Sequence, residues 1–156
     1  AQKDSDPRYY PIVIDALRAK FQREVKGRFA DGELEHLAEV SPHKTDTTLL
    51  IHPYVLKDFL EYNNFLELAD QLLEDMQLDG ELQIASFHPD YQFADTEFDD
   101  ITNFTNRSPY PTLHLIREDS IDKAVEAFPE AEIIYETNME TMKKLGATGW
   151  KKLFPK

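Results

Sequence analysis

Apolar residues recur at helical spacing in several stretches of the chain, and between them lie three short runs of aliphatic and β-branched residues. The first periodic stretch predicts a helix from about Tyr9 to Val25, with Ile12, Ala16 and Ala19 on one side and Gly27 closing it. A shorter helical piece, Gly32 to Val40, runs into Ser41-Pro42. The run TDTTLLI, ending at Ile51, reads as a strand closed by His52-Pro53. Helical spacing then extends from Tyr54 to Met76, with Phe65, Leu68, Ala69, Leu72 and Met76 as its buried stripe. Asn63-Asn64 interrupts it, and Asn64 with Glu67 three residues on has the form of a capping box, so two helices meeting at an angle are expected.

Asp79-Gly80 marks a turn, and Leu82 to Phe87 reads as a second strand, closed again by His-Pro at His88-Pro89. Residues 89 to 110 show no period, and a loop of that length inside one domain is usually functional. Thr112 to Arg117 reads as a third strand. Ser120 is placed to cap a helix with the stripe Ile121, Ala124, Val125 and Phe128. Pro129 opens another helix to about Leu145, with Gly146 at its end, and Trp150, Leu153 and Phe154 form an apolar tail expected to dock on the body.

This order predicts an α+β fold, a small mixed sheet in a ferredoxin-like βαββα arrangement with helices on one face. The third strand then lies between the first two and runs against them, which puts His52 and His88 at one sheet edge, about 10 Å apart. Residues 1 to 44 form a helical N-terminal segment and residues 45 to 156 the α+β domain, within a single globular unit.

Charge sharpens that division. The 156 residues hold 17 Lys and Arg against 30 Asp and Glu, a net charge of −13. That balance excludes general nucleic-acid binding, which needs a basic surplus to meet phosphates. Residues 1 to 30 run the other way, with Lys3, Arg8, Arg18, Lys20, Arg23, Lys26 and Arg28 against Asp4, Asp6, Asp15 and Glu24, so this segment is suited to an acidic protein partner or to anionic lipid. With 0 Cys there are no disulfides, thiolate nucleophiles or Cys-ligated metals. No apolar run approaches membrane-span length, so the chain is expected to be soluble and not transmembrane. A start at Ala1 rather than Met is compatible with a cytoplasmic or organellar protein whose leader was removed.

Two constellations carry candidate chemistry. His52, His88 and His114, with carboxylates such as Asp90 and Asp95 nearby in sequence, can hold a divalent metal without thiolates. The competing reading has each histidine hydrogen-bonded to main chain at a strand end. The second is the long loop, in which Tyr91, Asn103, Asn106 and Ser108 can fix a small polar or anionic molecule. Arg107 is the first base after Lys57 and would be its clamp. In an enzyme, His88 with Asp90 would be the acid–base pair and Arg107 the substrate clamp. Against this, Asn, Asp and Ser also brace irregular backbone, and an arginine can close a loop on its carbonyls. The carboxylates Asp95, Glu97, Asp99 and Asp100 lack the glycine and spacing of an EF-hand. Either a polar pocket or a non-catalytic interaction protein, an accessory subunit of a larger complex, fits these residues.

From Thr47 onward the chain resembles the DUF1415 family of proteins of unknown function. The resemblance is carried by TTLLIHP, DFLEYNNFLELAD, LQIASFHPDYQFA, DDITNFTNRSPYPTLHLIRE and AFPEAEIIYETNMETMKKLG, which follow one another between Thr47 and Gly146. It implies no reaction, but its blocks HPDYQF and TNRSPYP contain the His, Asp, Asn and Arg singled out above. Members of that family usually carry near their start a segment of the type GLNLCPFA. This chain has no such segment, and a catalytic reading is weakened to that extent.

Overall fold

The computed structural model describes residues 30–128 and 131–153. The helix expected over Tyr9–Val25, the contact of residues 1 to 30 with an acidic partner, and Pro129 as a helix opener lie outside the described residues. In chain order the elements are α1 (Ala30–Glu39), β1 (Thr47–Ile51), α2 (Phe59–Asp75), β2 (Leu82–Phe87), a 3-10 helix (Ile101–Thr105), β3 (Thr112–Arg117), α3 (Glu118–Ala127) and α4 (Ala131–Leu153).

The strands form a sheet of order β1-β3-β2, with β3 antiparallel to both neighbours. The α+β class and the central position of β3 are as expected. Every ladder among the described residues is antiparallel, so this sheet is not mixed. Alternation along β3 puts Leu113, Leu115 and Arg117 on one face, opposite Leu50 and Thr48 of β1 and Ser86, Ile84 and Leu82 of β2. That face meets α1 through Leu34 and Leu37 and α2 through Tyr62, Phe65, Leu72 and Leu73 in one core. The opposite face carries Leu49, Ile51 and His114, and Leu49 and Ile51 are each 55% exposed.

The expected break at Asn64 does not occur. Helix α2 is continuous, and its cap is Asp58, whose carboxylate accepts from the Glu61 amide at 2.9 Å. The apolar stripe from Tyr62 to Leu73 passes through the two asparagines without a phase change, and its burial outweighs their weak helix preference. Ser120 is not a cap either. Helix α3 begins directly at the end of β3, one turn earlier than Ser120 requires, and the Ser120 hydroxyl donates to the Asp46 carboxylate at 2.6 Å. Its amphipathic stripe is present in sequence, yet none of its residues is buried.

Beyond the expected end at Leu145, helical structure resumes. Gly146 breaks α4 with φ 62 and ψ 173, a left-handed conformation open to glycine, and a second helical piece continues to Leu153. Trp150 on that piece meets the Phe104 ring edge to face at 5.4 Å, so the tail docks on the 3-10 helix through Trp150. Leu153 remains 55% exposed, and Phe154 lies outside the described residues.

Candidate functional site

The two His-Pro junctions end the two outer strands of one sheet, on either side of β3. The His52 amide donates to the Pro111 carbonyl at 2.8 Å and the His88 amide to the Asn106 carbonyl at 3.2 Å, so both are tied to the segment that enters β3. Strand parity turns both side chains toward the core, but onto different parts of α2. His52 meets Phe65 with ring centroids 6.5 Å apart, whereas His88 packs between Phe59 at 5.2 Å and Tyr62 at 5.0 Å. His114 lies on the other face of the sheet, hydrogen-bonded to the Thr47 hydroxyl. The three histidines expected to share a metal therefore do not converge. No group of three or more His, Cys, Asp or Glu is placed to hold a metal ion among the described residues.

His88 is fully buried and both ring nitrogens have main-chain partners. Nδ1 accepts from the Asp90 amide at 3.0 Å, so the ring proton is on Nε2, which donates to the Leu56 carbonyl at 3.0 Å. Leu56 is held at φ 58, a left-handed conformation a leucine rarely adopts, and the bond from His88 helps fix it there. What Asp90 offers His88 is thus its backbone amide rather than a carboxylate, and the carboxylate is exposed near Arg107. The acid–base pair expected from sequence is not formed.

The loop residues are likewise engaged with the loop itself. Asn103 is fully buried. Its Oδ1 accepts from the Phe93 amide and the Thr96 hydroxyl, both at 2.9 Å, and its Nδ2 donates to the Glu97 carbonyl at 2.8 Å. Asn106 donates to the Ser86 carbonyl at 3.3 Å, and the Ser108 hydroxyl donates to the Tyr110 carbonyl at 2.6 Å. The Tyr91 ring lies 5.7 Å from Phe59 and 5.0 Å from Phe93.

Arg107 is held between two rings, its guanidinium carbon 4.5 Å from the Phe98 centroid and 4.2 Å from that of Phe104. It donates from Nε to the Tyr91 carbonyl at 3.2 Å and from Nη2 to the Phe98 carbonyl at 2.6 Å. Burial lowers its pKa from the ordinary value, and the Asp90 charge opposes that shift. Asp100 caps the 3-10 helix by accepting from the Thr102 amide and hydroxyl, which holds its carboxyl below the usual range. Donors and acceptors that could have faced a ligand close the loop on its own main chain.

Two residues not singled out in the sequence anchor the surroundings. Tyr62 is fully buried, and its hydroxyl donates to the Thr112 carbonyl at 2.8 Å while accepting from the Phe87 amide at 3.1 Å. It ties the ends of β2 and β3 together from α2, and burial raises its pKa well above the ordinary value. The signal was its position three residues before Phe65 on the helical stripe. Arg117, 9% exposed, donates from Nη2 to the carbonyls of Leu37, Val40 and Thr45 at the end of α1 and beyond it. Its strand parity with Leu113 and Leu115 marked it as inward-facing.

His52 and His114 give the fold a pH dependence. Burial lowers both pKa values from 6.5, and His52 Nε2 is buried without a hydrogen-bond partner. A histidine with a depressed folded-state pKa binds its proton more readily in the unfolded chain, so acid favours unfolding. The urea midpoint is therefore expected to be highest above pH 7 and to fall as pH drops through 6.5 toward the folded-state values. In His52→Leu the fall between pH 7.5 and 5.5 should be smaller. An unchanged slope would remove His52 as its source.

Searches of curated proteins and of solved structures each find no match. The family model described as protein of unknown function, DUF1415, matches residues 14–152, extending the resemblance at both ends of the span between Thr47 and Gly146. No described helix is long and apolar enough to cross a membrane. With a match over most of its length, the chain belongs to the DUF1415 family.

Proposed function

We propose that this domain is a non-catalytic interaction module, in which the loop from His88 to Pro111 is a braced platform rather than a reaction centre. The observation that carries this reading is Arg107. A substrate clamp needs guanidinium N–H groups directed at the ligand, whereas here the guanidinium is stacked between Phe98 and Phe104 and donates to two loop carbonyls. His88 and Asn103, both fully buried in the loop, are satisfied in the same inward manner. A site for a small anionic molecule would need at least one of them turned outward. Instead, the loop turns outward the Phe98 and Tyr110 side chains, each about half exposed, which suits contact with another protein surface.

Arg107→Met tests this. The variant is expected to lose about 1–2 kcal/mol of stability, from two charge-assisted hydrogen bonds less the packing that methionine restores. Neither phosphate nor citrate should shift the melting temperature of the parent protein. A ligand at 100 times its Kd would stabilise by about 2.7 kcal/mol. Stabilisation of the parent by such an anion, abolished in an Arg107→Met protein of undiminished stability, would restore the small-ligand reading.

A further inference from the structure

Helix α3 is amphipathic, and among the described residues its apolar side is left exposed at Ala124, Val125 and Phe128, with Ile121 half-buried. Ile121, Ala124, Val125 and Phe128 fall at i, i+3, i+4 and i+7, the spacing of a buried stripe. Val125 is 48% and Phe128 61% exposed, and α3 buries no residue. Ten residues are too few for a helix to hold its shape in water by propensity alone, so such an element needs something on its apolar side. Along one flank run Glu118, Asp122 and Glu126, one turn apart, and Asp119 adds a fourth carboxylate against the single base Lys123.

These charges select among occupants. A second copy laid on the same stripe would set carboxylates against carboxylates, which is unfavourable. A basic segment with its own apolar stripe fits, and the chain possesses one outside the described residues. Residues 8 to 26 carry Arg8, Arg18, Lys20, Arg23 and Lys26 against Asp15 and Glu24, with Ile12, Ala16 and Ala19 at helical spacing. The reach is sufficient. The Arg117 bonds place the end of α1 beside the start of α3, and α1 is about 15 Å long, while the five steps from Val25 to Ala30 extend to about 17 Å.

We propose that the apolar stripe of α3 is the docking face for the chain's own basic segment, residues 8–26. The segment's acidic counterpart is then within the same chain rather than on a separate protein. The inference does not depend on the role of the 88–111 loop.

The absence of cysteine makes the test direct, because a single introduced thiol is the sole labelling site. A nitroxide is attached to Val13→Cys, and separately to Gln22→Cys, positions that flank the Ile12, Ala16 and Ala19 stripe on either side, and amide signals are compared before and after reduction of the label. The expected result is strong loss of signal across Ile121–Phe128 from both positions, diminished by raised salt and by Asp122→Lys with Glu126→Lys. In a mixture of labelled, isotope-free chain with unlabelled, isotope-enriched chain, that loss should vanish. Loss confined to other elements, no loss at all, or loss at α3 that persists in the mixture would each overturn the proposal. The last of these would make the contact one between copies.

Discussion

Replacing Arg117 by methionine is expected to destabilise the fold by about 3 kcal/mol, the largest effect anticipated for any single polar side chain outside the loop. Among the described residues, none of its hydrogen-bond partners is a carboxylate. Its Nη2 faces the carbonyls of Leu37, Val40 and Thr45, and the first two belong to the final turn of α1 and the residue just beyond it, where the helix dipole is negative. The guanidinium therefore joins α1 to the central strand and neutralises carbonyls that the helix leaves unpaired. Methionine fills much of the same volume but leaves those acceptors buried and without a donor, which costs more than losing a bond that water could replace. Lysine restores the charge but not the planar fork, and should recover only part of the loss. Urea unfolding followed by far-UV circular dichroism measures both variants, with the single tryptophan, Trp150, as a second probe. A methionine variant as stable as the parent would show that the α1 carbonyls find other partners.

Asn103→Ala is the second large effect, about 2 kcal/mol, with a local signature. The Asn103 amide holds three separate points of the loop, at Phe93, Thr96 and Glu97, and is itself inaccessible to water. Alanine leaves the Phe93 amide without an acceptor and the Glu97 carbonyl with the Asp100 amide as its donor. Asn103→Asp should not rescue it, because a carboxylate keeps the two acceptor contacts but turns an oxygen toward the Glu97 carbonyl. The expected outcome is a lower melting temperature for both variants, together with faster hydrogen exchange at Phe93. Exchange at Leu113 and Leu115 in β3 should change only as much as the global stability does. A loss of stability with no change at Phe93 would place the damage elsewhere.

The sheet was legible because its period is short and its signals are local. The alternation in LQIASF and TLHLIR, bounded by a turn and by prolines, gave both strands their observed limits, and the central place of β3 followed from the βαββα order of the elements. Asn64 misled because a capping box is a local motif, while the continuity of α2 is decided by what Tyr62, Phe65 and Ala69 bury. Ser120 misled for a related reason, since nothing local shows that α3 starts without a loop after β3.

The loop posed a different problem. The side chains that bind ligands are also those that brace irregular backbone, so composition identified His88, Asn103 and Arg107 as important without saying which way they face. Their direction depends on Phe59, Tyr62, Phe98 and Phe104, which surround them only in the folded chain. For His114 the sequence did contain the answer. Its parity in β3 is opposite to that of Leu113 and Leu115, which turns it away from the face occupied by His52 and His88.

Amide hydrogen exchange across residues 88–111 in the unmodified protein tests the internal bracing most directly. If side chains hold this loop as a rigid platform, the amides of Asp90, Phe93 and Thr102, bonded to His88, Asn103 and Asp100, will exchange nearly as slowly as those of β3. Exchange at the rate of an unstructured chain would show that these groups are free to turn toward a ligand, and would contradict the account.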